Sequence, residues 1–396
     1  MKLQSLLTDA DTHIVLVVMD GLGGFADAEH ASELEEAHTP NLDRLAAEGS
    51  VGLVEPVFAG ITPGSGPGHL ALFGYDPTEY ELGRGILSAT GVEFDLRPGD
   101  VAARGNLATL DADGNVADRR AGRIADDKAQ AIVDALTDRV KLDGAEVFFR
   151  HIASHRVLVV LRGDGLDHRV RDLDPQRTGV PPRRPEPLDP AAERTAQVLD
   201  ELDGAVREVL VDHPADVLLL RGFDTLHELP SFADLYGLRA ATVAIYPMYR
   251  GVAKLCGMDT LPRPDGLDGQ IAAMRDRWDD YDYFFMHHKK PDEAGHDGDR
   301  AAKVAGIEAL DTVVPDIVAL QPDVLVVTGD HASPTQLSGH SWHPVPTIMW
   351  GPYVGRDDVT TFGERACVHG MLGRRPTREL MPLMLAAAGR LDKYGA

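Results

Sequence analysis

Four short segments carry side chains able to ligate metal ions or act as a nucleophile. Asp20 ends the apolar run Val17-Val18-Met19 and is followed by Gly21-Leu22-Gly23-Gly24. A carboxylate directly after a strand, with glycines that let the chain turn sharply, is a ligand candidate; the plainer alternative is an Asp-Gly turn. In Ile61-Thr62-Pro63-Gly64-Ser65-Gly66-Pro67-Gly68-His69, Ser65 stands between glycines in a stiff, small-sided loop. A hydroxyl presented this way suits nucleophilic attack, with nearby backbone N–H groups facing an anion. Asp292 and His296, in Pro291–Asp299, are spaced so that one helical turn puts them on one side. Finally, Val326-Val327-Thr328-Gly329 runs into Asp330-His331, and His340 and His343 follow shortly after. Three of the four clusters sit just past apolar runs, the edge of a parallel sheet where α/β proteins place their sites.

Pooled, the segments offer Asp20, Asp292 and Asp330, His296, His331 and His340, and the Ser65 hydroxyl. Asp/His sets of this kind suit divalent ions. Two such ions would offset three carboxylates and a serine alkoxide, so a phosphate dianion could enter without strong repulsion. Metal coordination also lowers a hydroxyl's pKa, so Ser65 would need no separate general base. Paired ions about 4 Å apart stabilise attacking and transferring oxygens in phosphoryl displacement.

The elements that must position these groups are legible as short apolar runs. Ile14–Met19, Val157–Leu161, Val217–Leu220, Tyr283–Met286 and Val324–Val327 read as strands buried on both faces, as in parallel sheets. Helical stretches lie between them. One starts at Thr39-Pro40, with Thr39 as N-cap and Pro40 in the first turn. Another spans Ala301–Leu320, with Val304, Ile307, Leu310, Val313, Val314 and Ile317 on its apolar face. Alternating strands and helices imply a layered α/β fold. The stretch 97–221 differs: it is arginine-rich and contains Pro181-Pro182-Arg183-Arg184-Pro185. It reads as a smaller α/β domain inserted into a core formed by 1–96 and 222–396.

Composition narrows the function classes. The chain has 396 residues, 43% hydrophobic and 26% charged, which fits a globular protein of two domains. A formal charge of −24 would repel nucleic acids and anionic membranes. Two cysteines cannot build a disulfide framework and fit a reducing cytoplasm. Met1–His13 has no signal-peptide layout, and no apolar run approaches the roughly 20 residues of a membrane span. A soluble cytoplasmic protein with a small-molecule substrate is the expectation.

The motifs resemble the alkaline phosphatase superfamily, and within it the archaeal-type branch of the 2,3-bisphosphoglycerate-independent phosphoglycerate mutases. The likeness spans nearly the whole chain. It includes the Asp20-Gly21 strand end, His38-Thr39-Pro40-Asn41-Leu42-Asp43, Pro63-Gly64-Ser65 and Leu72-Phe73-Gly74-Tyr75-Asp76-Pro77. It continues through Gly83-Arg84-Gly85, Asp118–Ile124, Asp292–Asp299, Thr328–His331 and His340-Ser341-Trp342-His343-Pro344-Val345-Pro346.

The resemblance implies an α/β/α sandwich with a mostly parallel central sheet. It implies that Ser65 is transiently phosphorylated while 3-phosphoglycerate and 2-phosphoglycerate interconvert, without added bisphosphoglycerate. It assigns one ion to Asp20, Ser65, Asp330 and His331, and a second to Asp292, His296 and His340. His340 is preferred to His343 because it opens the family's His-x-x-x-Pro-Val-Pro pattern. Such ligands suit manganese first, then zinc or cobalt, and magnesium less well. Arg119, Arg120, Arg123 and Arg156 of the insert are the candidates for gripping the substrate's carboxylate and phosphate, with the insert as a lid. Three positions depart from the family. Gly66 stands where Asp is common, Arg250 where Lys is frequent, and His343 where relatives often carry an acid or amide. A hydrolase or another phosphomutase on the same core would share every ligand, whereas a non-catalytic protein would be expected to lack some of them. No G-x-x-x-x-G-K-[ST] loop is present, against a P-loop kinase.

Overall fold

A computed structural model describes residues 3–395. Its thirteen strands are numbered in chain order: β1 Ile14–Met19, β2 Ser50–Glu55, β3 Val101–Leu110, β4 Val116–Asp118, β5 Glu146–Ala153, β6 Arg156–Arg162, β7 Val217–Thr225, β8 Ala240–Thr242, β9 Asp259–Thr260, β10 Tyr283–His288, β11 Val324–Thr328, β12 Val345–Trp350 and β13 Gly373–Pro376. They form two sheets, and the chain divides into two compact units, residues 1–81 with 229–396, and residues 82–228.

The larger unit holds the sheet β13-β2-β12-β11-β1-β10-β8-β9. Its centre is parallel, β1 lying between β10 and β11 with Met19 beside His288 and Val18 beside Thr328. Only β12 runs antiparallel to both neighbours. β1, β10 and β11 are buried throughout, which is why they read as unbroken apolar runs. Helices Pro40–Glu48, Gly266–Asp276, Lys290–Asp297 and Arg300–Val318 pack as one group, and Ser65–Leu72 packs against Pro247–Leu255 in another, giving the expected layered α/β sandwich. Among the described residues, no helix is long and apolar enough to cross a membrane.

Two local expectations are corrected. The helix after Thr39 forms, but the Thr39 side chain makes no capping bond. The Asp311 carboxylate of the long helix accepts from the Asn41 and Leu42 N–H groups instead, at 3.0 and 2.8 Å. A buried carboxylate serves a helix N-terminus as well as a local hydroxyl does, and it also ties two helices together. The second correction concerns β6 and β7, read as parallel strands.

Both belong to the smaller unit, where β3 pairs antiparallel with β4, β6 and β7, and β5 with β6. Their continuous burial has another cause. Val157, Val159 and Leu161 join a core with helices Asp126–Arg139 and Glu193–Leu210. Leu158 and Val160 face the other way by the period of the pleat and are equally buried, and helix Arg84–Gly91 packs on β3, β6 and β7. An antiparallel sheet covered on both faces has the same apolar signature as a parallel one. The same helix explains the bounds. The sequence placed the insert at 97–221, whereas the compact unit runs from Leu82 to Glu228, because Arg84–Gly91 packs on this sheet.

Candidate active site

Parallel strands end on the same edge, so Asp20 after β1, Lys289 after β10 and Asp330 after β11 emerge side by side. Glycines let the connecting segments close in. A Cβ at Gly68 would lie 2.3 Å from the Asp330 carbonyl oxygen, so only glycine lets helix Ser65–Leu72 sit against that strand end. Gly21 has φ +67° and passes within 2.9 Å of Asp292 when given a Cβ. Buried Lys303 ties two of these loops together by donating to the carbonyls of Gly23, at 3.2 Å, and Ser333, at 2.8 Å.

His331 is the hub of the cluster. Its Nε2 lies 3.2 Å from Ser65 Oγ, 3.4 Å from Asp20 Oδ1, 3.2 Å from Asp330 Oδ2 and 3.9 Å from Asp292 Oδ1. His340 stacks on it with ring centroids 3.6 Å apart, and its Nε2 is 3.6 Å from Asp292 Oδ1. His340 Nδ1 donates to the Pro63 carbonyl at 2.8 Å, which fixes the tautomer and leaves Nε2 as the ligating nitrogen. His296, on the helix Lys290–Asp297, reaches to 3.7 Å of Asp292 Oδ1 and is half-exposed. Ser65 is the first residue of its own helix.

These groups fit divalent cations. The potential ligand atoms of Asp20, Asp330 and His331 lie within 4.8 Å of one another, as do those of Asp292, His331 and His340. Asp20 Oδ1 and Asp330 Oδ2 are buried without a hydrogen bond, which leaves both oxygens available to a cation.

Several residues of the site had no sequence signal as ligands. Lys289 Nζ bonds Asp20 Oδ2 at 2.9 Å, Asp292 Oδ2 at 2.6 Å and the Tyr249 hydroxyl at 2.9 Å. The Tyr249 hydroxyl also donates to Asp20. His69, Tyr249 and His287 stack below, with successive ring centroids 4.4 and 3.9 Å apart. His69 Nδ1 donates to the Ser65 carbonyl at 2.8 Å, holding the turn that presents the hydroxyl. Only the position of Lys289, three residues before Asp292, could have raised it from the sequence. Of the departing positions, Arg250 is buried and donates to the carbonyls of Ala244 and Leu261, a structural task. His343 stacks between Phe25 and Trp342, away from the cluster around His331.

The charges compete. Burial works to raise the Asp20 carboxyl, but the Lys289 ammonium and the neighbouring imidazoles overcome it and hold it well below the usual carboxylate range. Burial and the Asp20 charge push Asp330 up. Three carboxylates around one ammonium cannot all ionise comfortably without further positive charge.

The smaller unit carries a cationic cluster of its own. Burial, followed by the charges of Arg221, Arg84 and Arg156, lowers Arg104 to about 9. Nε of both Arg104 and Arg221 is buried without a hydrogen bond. Of the expected arginines, Arg156 belongs to this cluster. Arg119 is a fork on buried Asp174, at 3.0 and 2.6 Å. Arg120 and Arg123 lie in an exposed turn whose N–H groups are held by Asp118, at Arg120 and Gly122.

Burial holds His69, His155, His287 and His288 at about 4. Their folded-state values lie below the unfolded value of 6.5, so the unfolded chain takes up protons first as pH falls. Stability from these groups is complete above 6.5 and is lost towards 4. Metal-stripped protein should therefore show a denaturation midpoint that declines steadily across this window, measured in urea; a flat profile would contradict neutral burial of these rings.

Comparison with known proteins agrees with the motifs. Residues 46–216 match the model of the 2,3-bisphosphoglycerate-independent phosphoglycerate mutase family. A protein of Thermus thermophilus named a probable 2,3-bisphosphoglycerate-independent phosphoglycerate mutase is 48% identical, over 100% of this chain and 98% of its own. One of the same name from Deinococcus radiodurans is 46% identical over 99% of this chain and 98% of its own. Among solved structures, a protein of Pyrococcus horikoshii superposes with a TM-score of 0.81 at 29% identity, over 97% of this chain and 99% of that one. The cofactor-independent phosphoglycerate mutase of Thermoplasma acidophilum superposes at 0.73 with 28% identity, over 96% and 100%. With strand ends, serine turn and histidine cluster all in place along a full-length match, the chain belongs to the 2,3-bisphosphoglycerate-independent phosphoglycerate mutase family.

Proposed function

We propose that this protein interconverts 3-phosphoglycerate and 2-phosphoglycerate through phosphorylation of Ser65, without bisphosphoglycerate, in the cytoplasmic steps of glycolysis and gluconeogenesis. The observation that carries the reading is the Ser65 hydroxyl 3.2 Å from His331 Nε2, among buried carboxylates and imidazoles on one sheet edge.

Asp20, Ser65, Asp330 and His331 would hold one divalent cation, and Asp292, His296 and His340 a second, with manganese the best match to the donors. Such ions supply a lowered hydroxyl pKa and positive charge for the phosphate oxygens. The residues do the rest. The Ser65 Oγ–P bond forms as the bond from phosphorus to one glycerate oxygen breaks. The proton that leaves Ser65 is matched by the one that the freed glycerate hydroxyl takes up. The return step runs the same way to the neighbouring hydroxyl. His69 holds the Ser65 carbonyl and so the direction of attack. Lys289 carries a positive charge beside Asp20 and Asp292 throughout.

A mutase must retain the glycerate between the two transfers, which calls for a grip on its carboxylate and exclusion of water. Arg119, Arg120, Arg123 and Arg156 are the residues proposed for that grip, Arg156 lying in the cluster with Arg104, Arg84 and Arg221, whose mutual repulsion an anion would relieve.

The test is phosphorus NMR of the protein with 3-phosphoglycerate and manganese. Formation of 2-phosphoglycerate with no bisphosphoglycerate added and no inorganic phosphate released is the expected outcome. Release of phosphate as the main product would make it a hydrolase.

A further inference from the structure

The smaller unit contains a second kind of cluster, unrelated to its arginines. Asp224, near the end of β7, is 5% exposed, and its carboxylate is pinned by the backbone N–H groups of Gly83, at 2.6 Å, and Thr225, at 2.9 Å. His227, three residues on, puts Nε2 2.7 Å from Asp224 Oδ1. His168 arrives from the loop after β6, its ring nearly perpendicular to that of His227 at a centroid distance of 5.6 Å. One potential ligand atom from each residue lies within 4.8 Å of the other two.

We propose that His168, Asp224 and His227 form a separate site for a divalent cation of the zinc class. Two imidazoles and one carboxylate are the donor set such ions take with an open coordination position. Tetrahedral coordination with bonds of about 2.0–2.2 Å spaces ligand atoms roughly 3.4 Å apart, so a bound cation would replace the 2.7 Å contact between His227 Nε2 and Asp224 Oδ1, the ring moving out slightly from an anchored carboxylate.

The support around the donors is what separates this cluster from a chance His–Asp pair. The loop carrying His168 is fastened on both sides of it. The Asp167 N–H donates to buried Thr195 Oγ1 at 2.8 Å, and the Leu188 N–H donates to the Arg169 carbonyl at 2.8 Å. The Arg169 guanidinium joins Asp167 to Asp189, at 2.7 Å to each. Asp224 cannot turn away without breaking two backbone bonds. Donors held by such outer contacts give up little freedom on binding. Bound there, a cation would clasp the strand exit at Asp224–His227 to the Asp167–Arg169 loop.

The site is independent of the phosphotransfer reading, and its test does not use turnover. Full-length wild type, His168→Ala and His227→Ala would each be dialysed against zinc chloride, and bound zinc per chain measured by atomic emission. Both substitutions leave Asp224 and its backbone bonds intact. Each variant should hold one ion fewer than wild type, whatever number the other unit holds. Crystals of the zinc-treated wild type should show an anomalous peak between the His168 and His227 rings that is missing from His227→Ala. Equal zinc content in all three proteins, or no peak at those rings, overturns the proposal.

Discussion

Ser65→Ala should lower phosphoglycerate mutase turnover by at least about 10⁴-fold if the proposed route holds, because the substitution removes the nucleophile that would accept the transferred group. The fold should survive. Ser65 is partly exposed, and its hydroxyl contacts His331 Nε2 at 3.2 Å, so the stability cost is about 1 kcal/mol. Circular dichroism and the urea midpoint would confirm that. Mass spectrometry of acid-quenched wild type during turnover should find phosphate on the peptide containing Ser65. Activity within tenfold of wild type in the alanine variant would rule out the phosphoserine route, whatever the geometry suggests.

Chelation is expected to have the second large effect. Asp20, Asp292 and Asp330 are all at most 3% exposed, and among the described residues Lys289 is the one ammonium bonded to the first two. Stripping divalent ions leaves excess negative charge in a buried site, and Asp330, whose carboxyl burial and Asp20 already raise, is the group that must take a proton. Mutase activity after treatment with a chelator should fall to background and return on adding manganese, cobalt or zinc. A ligand at a hundred times its Kd stabilises by about 2.7 kcal/mol. At about 2–4 °C per kcal/mol for a unit of 150–250 residues, calorimetry should show a fall in Tm of roughly 5–10 °C. An enzyme that keeps full activity and Tm in excess chelator would remove metal ions from the scheme.

Legibility in the sequence depended on how local the cause was. β1 is bounded where its apolar run ends, because burial on both faces demands apolar side chains at every position. The same reasoning could not tell the parallel β10 and β11 from the antiparallel β6 and β7, since helices cover both sheets on two sides. Thr39 shows the same limit at a helix end: the residue type was right for a cap, but a carboxylate from a distant helix took the task. Lys289 and Tyr249 could not be found by ligand type, because their role lies in touching Asp20 from other elements.

The sequence by itself determined which chemistry is available: carboxylates and imidazoles placed after apolar strands, and a serine between glycines. Strand direction then carries those residues to one edge, and that much follows from local pattern. Tertiary structure alone decided their partners. It set His331 between Ser65 and the carboxylates, put Lys289 between Asp20 and Asp292, turned His343 away to stack on Phe25, and brought His168 to Asp224 and His227. Apart from Lys289 with Asp292, such pairings join residues tens to hundreds of positions apart, and they depend on packing distances and backbone approach that no spacing along the chain encodes.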